Sequence, residues 1–519
     1  MEKRVLIAAL LSAVFLALYS KVLSIWYPNP PALQPQSQQQ EAHERPEHAI
    51  EAAELLVHHI EDEEVTSIKS EAIELEIGNS SGAIRRMTLT RFMDKAGHHP
   101  LSIASGLPLL HLQVDSGPLS WRKIKASPTS ATFEASDSQE NSYHITYAAD
   151  IHNPLIIIEL TQLDGGHSSE DLVVTSSWTR VDELDSRRNP LEINMLVKNG
   201  NGKPKHLRYF GPLKQAKSVP RGTLLVSLAE RYFCQSIRHE GAEASVRLLP
   251  SPDGTIAVES RIRLKWVSDT GPRQRLLIYA GARDYFRLKA AGFSDAFPVG
   301  MIGQIGLILL SFLKLIAGLT RNYGVAIVVF SVLIGCATAP FTLLSYKSMR
   351  KMQELKPQVD RLMAQHKSDP TRANKEVFAL YKEHRVSPLS GCLPMLLQMP
   401  ILIALFRAIS HFIELRGQPF LWIKDLSSPD RLAQLPFSIP FIGSELNVLP
   451  VIMSAVMYFQ SRMSQGRMPQ DQSNPTMKIM SGPMMSVIFG VMFYQFPSGL
   501  VLYWLTSSLT SLAWSRVVT

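Results

Sequence analysis

The chain has 519 residues, of which 45% are apolar, and a formal net charge of +8. Its length predicts two or three domains, and long charge-poor runs crowd the C-terminal third. The three cysteines, Cys234, Cys336 and Cys392, lie far apart, which excludes a disulfide framework and argues against a metal site. We therefore expect unpaired thiols and no cofactor. The basic balance permits nucleic-acid binding, but in a chain with long apolar runs the position of the charges matters more, and we expect no DNA partner.

The first predicted element is an apolar run over residues 5–26, which follows Lys3 and Arg4. No convincing small-x-small cleavage site closes the run, and no lipid-acceptor cysteine follows it. We therefore predict an N-terminal signal-anchor transmembrane helix over residues 1–26 rather than a removed leader, with its N-terminus in the cytoplasm. Residues 27–66 are rich in Pro, Gln and acidic side chains, which predicts a solvated linker outside the membrane.

Short apolar alternations separated by turn residues fill the segment 67–291. Ile73, Leu75 and Ile77, for example, alternate with glutamates, which is typical of a strand with one buried face. The pattern predicts a large antiparallel β-sandwich domain on the outer side of the membrane.

This domain shows no constellation of catalytic residues. The histidine pairs His58-His59 and His98-His99 have no Cys or third ligand at useful spacing. Because adjacent side chains diverge on a strand, surface histidines are favoured over a metal site. Neither a Gly-x-Ser-x-Gly elbow nor a glycine-rich phosphate loop occurs. The sequence therefore predicts that the protein is not an enzyme.

The segment 298–320 is apolar but contains Gln304 and Lys314, and another hydrophobic run follows it at once. A transmembrane span here would invert the orientation of every later segment. We predict instead an amphipathic helix that lies in the outer interface, because this keeps the downstream charges on the correct sides.

Five later apolar runs are predicted to span the membrane, at residues 324–345, 391–413, 446–461, 479–495 and 499–514. The loop 346–390 holds ten Lys and Arg residues, whereas the loop 414–445 holds three. The positive-inside rule places the first loop in the cytoplasm and the second outside, so the loop 462–478 and the C-terminus are cytoplasmic too. With the N-terminal anchor, the sequence predicts a polytopic α-helical membrane protein with six transmembrane helices and a five-helix core.

The cytoplasmic loop 346–390 is predicted to form a helical hairpin with its turn at Asp369-Pro370. Apolar residues recur at helical spacing before and after this turn, at Met349, Met352, Leu355, Val359 and Leu362, and at Val377, Leu380 and Tyr381. The methionines either form the seam of the hairpin, which is the favoured interpretation, or offer an adaptable surface to client chains. The basic face of the hairpin is suited to acidic lipid headgroups or to ribosomal RNA.

The stretch 387–410 is long enough to span a bilayer, but Pro394, Pro400, Gln398 and Arg407 interrupt it. An arginine at the centre of a span costs about 2.5 to 3.5 kcal/mol on insertion scales, so its side chain is expected to face protein or water. This predicts a polar cavity inside the membrane.

Three segments carry a resemblance to a known family: SPLSGCLPMLLQMPILIAL, IELRGQPFLWIKDLSSPD and FPSGLVLYW. In this order and spacing they resemble the bacterial YidC/Oxa family of membrane protein insertases, over residues 301–514. The acidic linker and the β domain resemble the Gram-negative branch of that family, which has a large periplasmic domain. The resemblance implies a multi-pass protein of the inner membrane that takes nascent transmembrane segments from the cytoplasmic side. It also implies that the protein acts alone or beside the Sec translocon and releases these segments sideways into lipid without ATP.

The resemblance and the polar residues of the spans together indicate a partly hydrated groove that contacts client segments and lipid. Its candidate residues all lie within predicted spans, and they are Ser331, Gly335, Pro394, Gln398, Met399, Pro400, Leu402, Arg407, Tyr503 and Thr506. For the serine and the threonine, a hydrogen bond back to a carbonyl of their own helix is an equally good interpretation.

The sequence departs from the family at Gly335, where bacterial members carry a groove arginine. We hypothesise that Arg407 supplies this charge from the next span, since helical side chains lean toward the N-terminus of their helix. The alternative is that Arg407 pairs with Glu414 or extends outward to the interface. The chain also ends at Thr519 without the basic tail of some relatives, so ribosome docking through a tail is not expected.

Two other classes of protein compete with this interpretation. A solute transporter is disfavoured because the core spans show no inverted repeat and few convergent charges. A structural assembly factor built on the β domain predicts that this domain is indispensable and that the groove is not.

Overall fold

The structure is a computed structural model, and it describes residues 63–518 except for gaps at 94–98, 105–107, 115–117, 165–170, 179–190, 199–201, 211–212, 214, 241–242, 251–255, 264–272, 367–368, 385, 387–392, 440–442 and 466–482. The predicted signal anchor, most of the acidic linker, His58-His59 and His98, and most of the loop 462–478 lie outside the described residues. The chain divides into two compact units, Met1–Pro298 and Val299–Thr519, which we call the β unit and the helical unit.

The described part of the β unit contains seventeen strands in one hydrogen-bonded network. They are β1 (Val65–Lys69), β2 (Ile73–Gly78), β3 (Ile84–Met93), β4 (Pro100–Ala104), β5 (Leu110–Val114), β6 (Ser120–Ala126), β7 (Ser130–Ser136), β8 (Ser142–Ala149), β9 (Leu155–Asp164), β10 (Asp171–Trp178), β11 (Glu192–Val197), β12 (Lys205–Phe210), β13 (Lys217–Ala229), β14 (Phe233–Glu240), β15 (Ala244–Pro250), β16 (Ile256–Arg263) and β17 (Arg273–Ala282). Neighbours such as β13 and β14, or β8 and β9, pair antiparallel. The prediction of a large antiparallel β domain is confirmed, and its periplasmic location stays a prediction.

Alternating burial follows directly from the sequence in several strands. Ile73, Leu75 and Ile77 of β2 are fully buried, while the glutamates between them are partly exposed. Tyr143 and Ile145 repeat the pattern in β8. Because successive side chains of a strand point to opposite faces, these strands each bury one face in the core.

Strand β14 is buried on both faces, in contrast to the simple alternation. The face that carries Cys234 is covered by a short helix, α1 (Tyr285–Ala290), and by the 3₁₀ turn Ser294–Ala296. Asp284 caps α1 by accepting hydrogen bonds from the first backbone amides of the helix. The segment that follows the last strand therefore belongs to the core of the β unit.

Two hydrogen bonds hold the end of the β unit against its sheet. The side-chain amide of Asn194 donates to the carbonyl of Ala296, and the guanidinium of Arg208 donates to the carbonyl of Pro298 at 3.0 Å. The unit therefore extends to Pro298, beyond the predicted end at residue 291.

The helical unit contains eight described α-helices and one two-stranded hairpin. The helices are α2 (Met301–Thr320), α3 (Tyr323–Glu354), α4 (Lys356–Gln365), α5 (Pro370–Glu383), α6 (Leu393–Ser410), α7 (Leu449–Gln465), α8 (Pro483–Phe493) and α9 (Ser498–Val518), and the strands are β18 (Ala433–Ile439) and β19 (Gly443–Leu446). Of these helices, α2 and α3 are long and apolar enough to cross a membrane. The segments 398–410 and 449–461 are apolar but shorter. The count of six transmembrane helices and the interfacial position of α2 therefore stay predictions.

The methionine stripe lies at the seam of the helical hairpin, but it is divided differently from the prediction. Met349 and Met352 belong to the continuous helix α3, which runs nine residues past the predicted end of the span at residue 345, and the first hairpin helix starts only at Lys356. The buried residues of the seam are Tyr346, Met349, Met352, Leu355, Val359, Tyr381 and Val386. The second hairpin helix starts as predicted, with Pro370 in its first turn and Asp369 as its cap.

Helix α9 is the central helix of the helical unit. It packs against α3, α6 and α7, while α8 packs on α7 and α2 packs on α3 and α6. Leu500 to Leu505 at the start of α9 are all buried. The helix that carries two of the predicted groove residues is therefore surrounded by its neighbours at one end.

We expect the β unit to lose stability as the pH falls from about 6.5 to about 4. Burial lowers the pKa of His111 and of His239 to about 4, so both rings are neutral in the fold. The unfolded chain takes up protons near pH 6.5 and the folded chain does not, so each histidine lowers the free energy of unfolding by about 1.4 kcal/mol per pH unit over this window. Below both pKa values the dependence ends.

Denaturant unfolding of the full-length protein at pH 7, 6 and 5 measures this dependence. His239→Gln should reduce the slope, and substitution of the exposed His99 by Gln serves as the matched control. An unchanged slope in His239→Gln contradicts the prediction.

Candidate functional site

The buried apolar core of the helical unit lies at one end of the bundle, which we call the closed end. This is the end at which α2, α6 and α8 finish and α3, α7 and α9 begin. The fully buried members of this core include Leu313, Ala326, Ile327, Phe330, Leu405, Ile409, Leu449, Met453, Phe493, Leu500 and Tyr503. Apolar packing therefore seals the closed end.

A buried carboxylate joins the loop after α6 to the start of α7. Asp430 Oδ2 accepts hydrogen bonds from the indole of Trp422 at 3.2 Å and from the backbone amides of Val448 and Leu449 at 2.8 and 2.9 Å. These amides lie at the N-terminus of α7, where they have no partner within the helix. The negative charge is also favourable there, because the helix dipole is positive at this end.

A second carboxylate organises the loop itself and ties it to α9. Asp425 Oδ1 accepts hydrogen bonds from the amides of Gly417 at 3.0 Å and Ser427 at 2.9 Å. The hydroxyl of Ser498 at the start of α9 donates to the carbonyl of Asp425 at 3.0 Å. Two of the segments that carry the family resemblance, 413–430 and 496–504, therefore form one hydrogen-bonded cap on the closed end.

Helix α9 changes character beyond this cap. Tyr503, Thr506 and Thr510 recur at spacings of three and four residues, and Ser511 follows Thr510 directly; we call these four residues the polar face of α9. The last three are partly exposed, whereas the residues before Tyr503 are buried. The polar face therefore begins within the span and runs away from the closed end.

Neighbouring helices add polar groups to this face. Gln398 of α6 donates from Nε2 to the hydroxyl of Tyr503 at 2.6 Å. The hydroxyls of Tyr346 and Ser511 lie 3.1 Å apart, and Gln460 Nε2 donates to Ser511 Oγ at 3.4 Å. The structure thus brings together the predicted pair Gln398 and Tyr503.

Sequence reasoning missed four of these polar residues, which are Tyr346, Gln460, Thr510 and Ser511. The spacing of Tyr503, Thr506 and Thr510 by three and four residues was the available signal for Thr510. Nothing in the sequence linked Gln460 or Tyr346 to α9, because these contacts join segments far apart in the chain.

Ser331 follows the alternative interpretation, in which a hydroxyl bonds its own helix. Its side chain is fully buried, and Oγ donates to the carbonyl of Ile327 at 2.6 Å. Thr510 also donates to its own helix, at the carbonyl of Thr506. A buried hydroxyl that is satisfied in this way offers little to a client segment.

Gly335 lies where α3 and α9 approach most closely on the polar side. A Cβ atom at this position would stand 2.7 Å from the γ-methyl of Thr510 and 3.3 Å from its Cβ. Real Cβ atoms do not occur at the first distance, so a side chain at 335 requires a shift of the neighbouring helix. Small residues at such positions let membrane helices pack backbone to backbone.

Arg407 lies on the exposed side of α6, next to Phe406 and Ile403. Nine residues separate it from Gln398, and at about 100° per residue this places the two side chains on opposite faces of the helix. Because Gln398 faces α9, Arg407 faces away from α9. We therefore do not propose that Arg407 takes over the role of the family arginine. Arg407 is three residues from the end of α6, which suits a side chain that extends to the interface.

The remaining predicted groove residues of α6 are partly exposed or exposed. Met399 and Leu402 are partly buried, and Leu402 packs against the apolar core of the closed end. Pro400 lies inside the helix and is exposed. The side chain of Pro394 lies outside the described residues.

An ion pair fastens α2 to the turn after α6. Lys314 Nζ stands 3.1 Å from Glu414 Oε1, both side chains are about one quarter exposed, and the hydroxyl of Tyr323 donates to the same carboxylate. The ammonium group also lies 5.1 Å from the centre of the Phe412 ring. The charge of Lys314 thus binds α2 to the turn after α6.

Within the ranges that the structure describes, no group of three or more His, Cys, Asp or Glu residues is placed to hold a metal ion. The polar face carries hydroxyl and amide groups, which can hydrogen-bond to water or to a polar peptide.

Comparison with known proteins identifies similar chains. Residues 315–519 match the family model described as "60Kd inner membrane protein", a range that includes all three segments of the resemblance. The chain is 37% identical over 292 residues to a membrane protein insertase YidC of Pelobacter propionicus, covering 55% of this chain and 52% of the relative. It is 41% identical over 238 residues to the protein of the same name from Endomicrobium trichonymphae, covering 45% and 43%. The chain thus matches about half the length of these curated relatives.

Two solved structures are also similar. The crystal structure of YidC from Thermotoga maritima matches with a TM-score of 0.30 and 16% identity. The match covers 87% of this chain and 99% of that one. A galactose mutarotase-like protein from Lactobacillus casei has a TM-score of 0.31 with 10% identity, over 42% of this chain and 100% of that one. Both scores are low, and we draw nothing about function from them.

We expect Lys314→Met and Glu414→Gln each to destabilise the helical unit by about 1 to 3 kcal/mol, because each change leaves a half-buried charged group without its partner. The double variant should lose less than the sum of the two single variants. Thermal unfolding in detergent measures these effects, with substitution of the exposed Lys424 by Met as the control. Additive losses contradict a direct pair.

We expect Gly335→Ala to destabilise the helical unit by about 1 to 3 kcal/mol, because the new methyl group overlaps the side chain of Thr510. Thr510→Ala removes the overlapping methyl group and should restore most of the loss in the double variant. The same unfolding measurement tests this, and a double variant no more stable than Gly335→Ala shows that the two helices do not meet here.

Proposed function

Because the chain belongs to the YidC family of membrane protein insertases, we propose that it inserts nascent transmembrane segments into the inner membrane. The chain matches only about half the length of its curated relatives, and for this reason the whole insertase activity is a proposal. Its partners are nascent membrane proteins and lipid. The Sec translocon and the ribosome are proposed as partners on the family resemblance alone.

The task of such a protein is set by the cost of moving polar groups through hydrocarbon. Each unsatisfied backbone group costs several kcal/mol there, and a client has to carry a polar tail across. A hydrated surface that reaches only part of the way shortens the dry path. The membrane stays sealed as long as the other part is packed.

The observation that carries the proposal is the change along α9. Its first residues are buried in the closed end, and its polar face begins at Tyr503, about 8 Å from Ser498 at 1.5 Å per residue. From Tyr503 to Ser511 the face continues for about 12 Å. We propose that this face, with Gln398 of α6, lines the partly hydrated groove.

The exposed side of α6 provides for lateral release. Ile403 and Phe406 are exposed there, and Leu402 and Met399 are partly exposed beside them. A client helix that leaves the groove along α6 meets lipid next, and burial of its apolar surface at about 25 cal/mol per Å² drives the transfer. No ATP site and no covalent step are required.

The charges of the loops supply the proposed orientation. The basic hairpin with α4 and α5 lies in the cytoplasm, the closed end of the helical unit faces the periplasm, and both termini are cytoplasmic. The β unit is periplasmic. The polar face of α9 then opens toward the cytoplasm, from which clients arrive. Arg407 lies near the outer interface in this orientation and takes no part in the groove.

We expect the combined variant Gln398→Met and Thr506→Val to slow insertion of clients with long polar tails, because it removes a hydrogen-bonding amide and a hydroxyl from the groove at nearly constant volume. Clients with short tails should be affected less. Insertion is measured by protease protection of the tail in a strain depleted of the native protein.

Ser508→Ala is the matched control, because Ser508 is buried and lies about 160° around the helix from Thr506 at about 100° per residue. Arg407→Ala should also retain insertion. Loss of insertion in this variant would instead support the hypothesis that Arg407 supplies the charge missing at Gly335. Equal insertion of long-tailed and short-tailed clients by the combined variant contradicts the proposal that these residues line a hydrated groove.

A further inference from the structure

A two-stranded hairpin projects from the closed end between Asp430 and α7. Strands β18 and β19 pair with each other and with no other described strand. A hairpin of two strands is marginally stable alone in water, so its surroundings decide whether it persists.

The base of the hairpin is fixed to the closed end. The amide of Arg431 donates to Asn447 Oδ1 at 3.0 Å, and its Nε lies 2.9 Å from Glu445 Oε2. Asn447 in turn donates from Nδ2 to the carbonyl of Tyr494 at 2.7 Å. The charges of Arg431 and Glu445 at the base of the hairpin are thus paired with each other. The hydrogen bonds through Asn447 fix the base of the hairpin to the helices.

Large apolar side chains of this region point outward. Phe437 of β18 is 60% exposed and Leu432 is 52% exposed, and on the neighbouring loop Leu421 is 75% and Trp422 is 37% exposed. Leaving a side chain of this size in water instead of burying it forfeits about 1.5 to 3 kcal/mol. These four exposed apolar residues all lie in the segment between α6 and α7, and we call them together the outer patch.

The outer patch continues the apolar surface of the helices. Helix α7 begins directly after the hairpin, and its residues Val451 and Ile452 are exposed in its first turn. These residues face lipid when the bundle lies in a membrane. The indole N–H of Trp422 is held by Asp430, so the ring has a polar edge at the loop and an apolar body outward, as in aromatic residues at membrane interfaces.

The backbone of the hairpin limits how deep it can lie. Both strands have an outer edge of amide and carbonyl groups, and hydrocarbon does not tolerate such an edge. The hydrated headgroup region supplies partners for it. This depth fits an apolar patch at the end of a bundle rather than at its middle.

We propose that the outer patch, formed by Leu421, Trp422, Leu432 and Phe437, lies in the headgroup region of the outer leaflet and fixes the depth of the closed end in the membrane. The occupant of this surface is lipid, and not a protein partner or a second copy of the chain. The proposal requires the bundle to lie in a membrane but does not require insertase activity.

The test places an environment-sensitive fluorophore on Phe437→Cys in a full-length protein that carries Cys234→Ser, Cys336→Ser and Cys392→Ser. The protein is reconstituted in vesicles of phosphatidylethanolamine and phosphatidylglycerol with nitroxide lipids labelled near the headgroup or deep in the acyl chain. Ile151→Cys is the matched control, since Ile151 is 55% exposed on the β unit. The label at 437 should show blue-shifted emission and lose more fluorescence to the shallow nitroxide than to the deep one.

Emission and quenching equal to those of the Ile151 control overturn the proposal, and stronger quenching by the deep nitroxide overturns its depth. Protection from both nitroxides and from a water-soluble quencher shows a protein occupant instead. If the cysteine-free protein does not fold, a photo-crosslinking amino acid at Phe437 in the native-cysteine chain replaces the label. A lipid adduct then supports the proposal, and an adduct with protein alone contradicts it.

Discussion

The carboxylate of Asp430 is the interaction on which the helical unit depends. It lies buried at the closed end and satisfies the indole of Trp422 and the first free amides of α7 at once. Asp430 and Leu449 are both buried, so without the carboxylate the backbone amide of Leu449 would carry the full cost of desolvation. The Asp425 carboxylate accepts from amides of the loop in a similar way, and its backbone carbonyl accepts from the hydroxyl of Ser498 at the start of α9. With one end of the bundle fixed in this way, the helices can present polar groups at the other end without losing their arrangement.

The contrast between the two ends connects the fold with the proposed activity. A bundle that was apolar throughout would seal the membrane but offer nothing to a polar tail, and one that was polar throughout would leak. Here the boundary falls at Tyr503, whose ring belongs to the apolar core while its hydroxyl binds Gln398. The ion pair of Lys314 and Glu414 adds a further tie near the closed end and keeps α2 against the helices that it covers.

Period and composition were sufficient to predict the β domain, the hairpin and the approximate positions of the apolar helices, because these depend on neighbours in the chain. Ile73, Leu75 and Ile77 are buried as their alternation requires, and Asp369 caps its helix as its type requires. Contacts between distant segments were not predictable in the same way. The pairing of Glu414 with Lys314, the burial of β14 on both faces and the extension of α3 through Met352 all depend on packing partners elsewhere. The face of Arg407, by contrast, could have been read from its nine-residue distance to Gln398.

The close approach of Gly335 and Thr510 also bears on how the sequence can change. An arginine at 335, as the family resemblance leads one to expect, has no room while a branched residue occupies 510. A lineage that passes between the two states must therefore alter 510 first or separate the two helices. The order of substitutions is constrained by a single methyl group, so a charge at position 335 is reached or lost along few mutational paths.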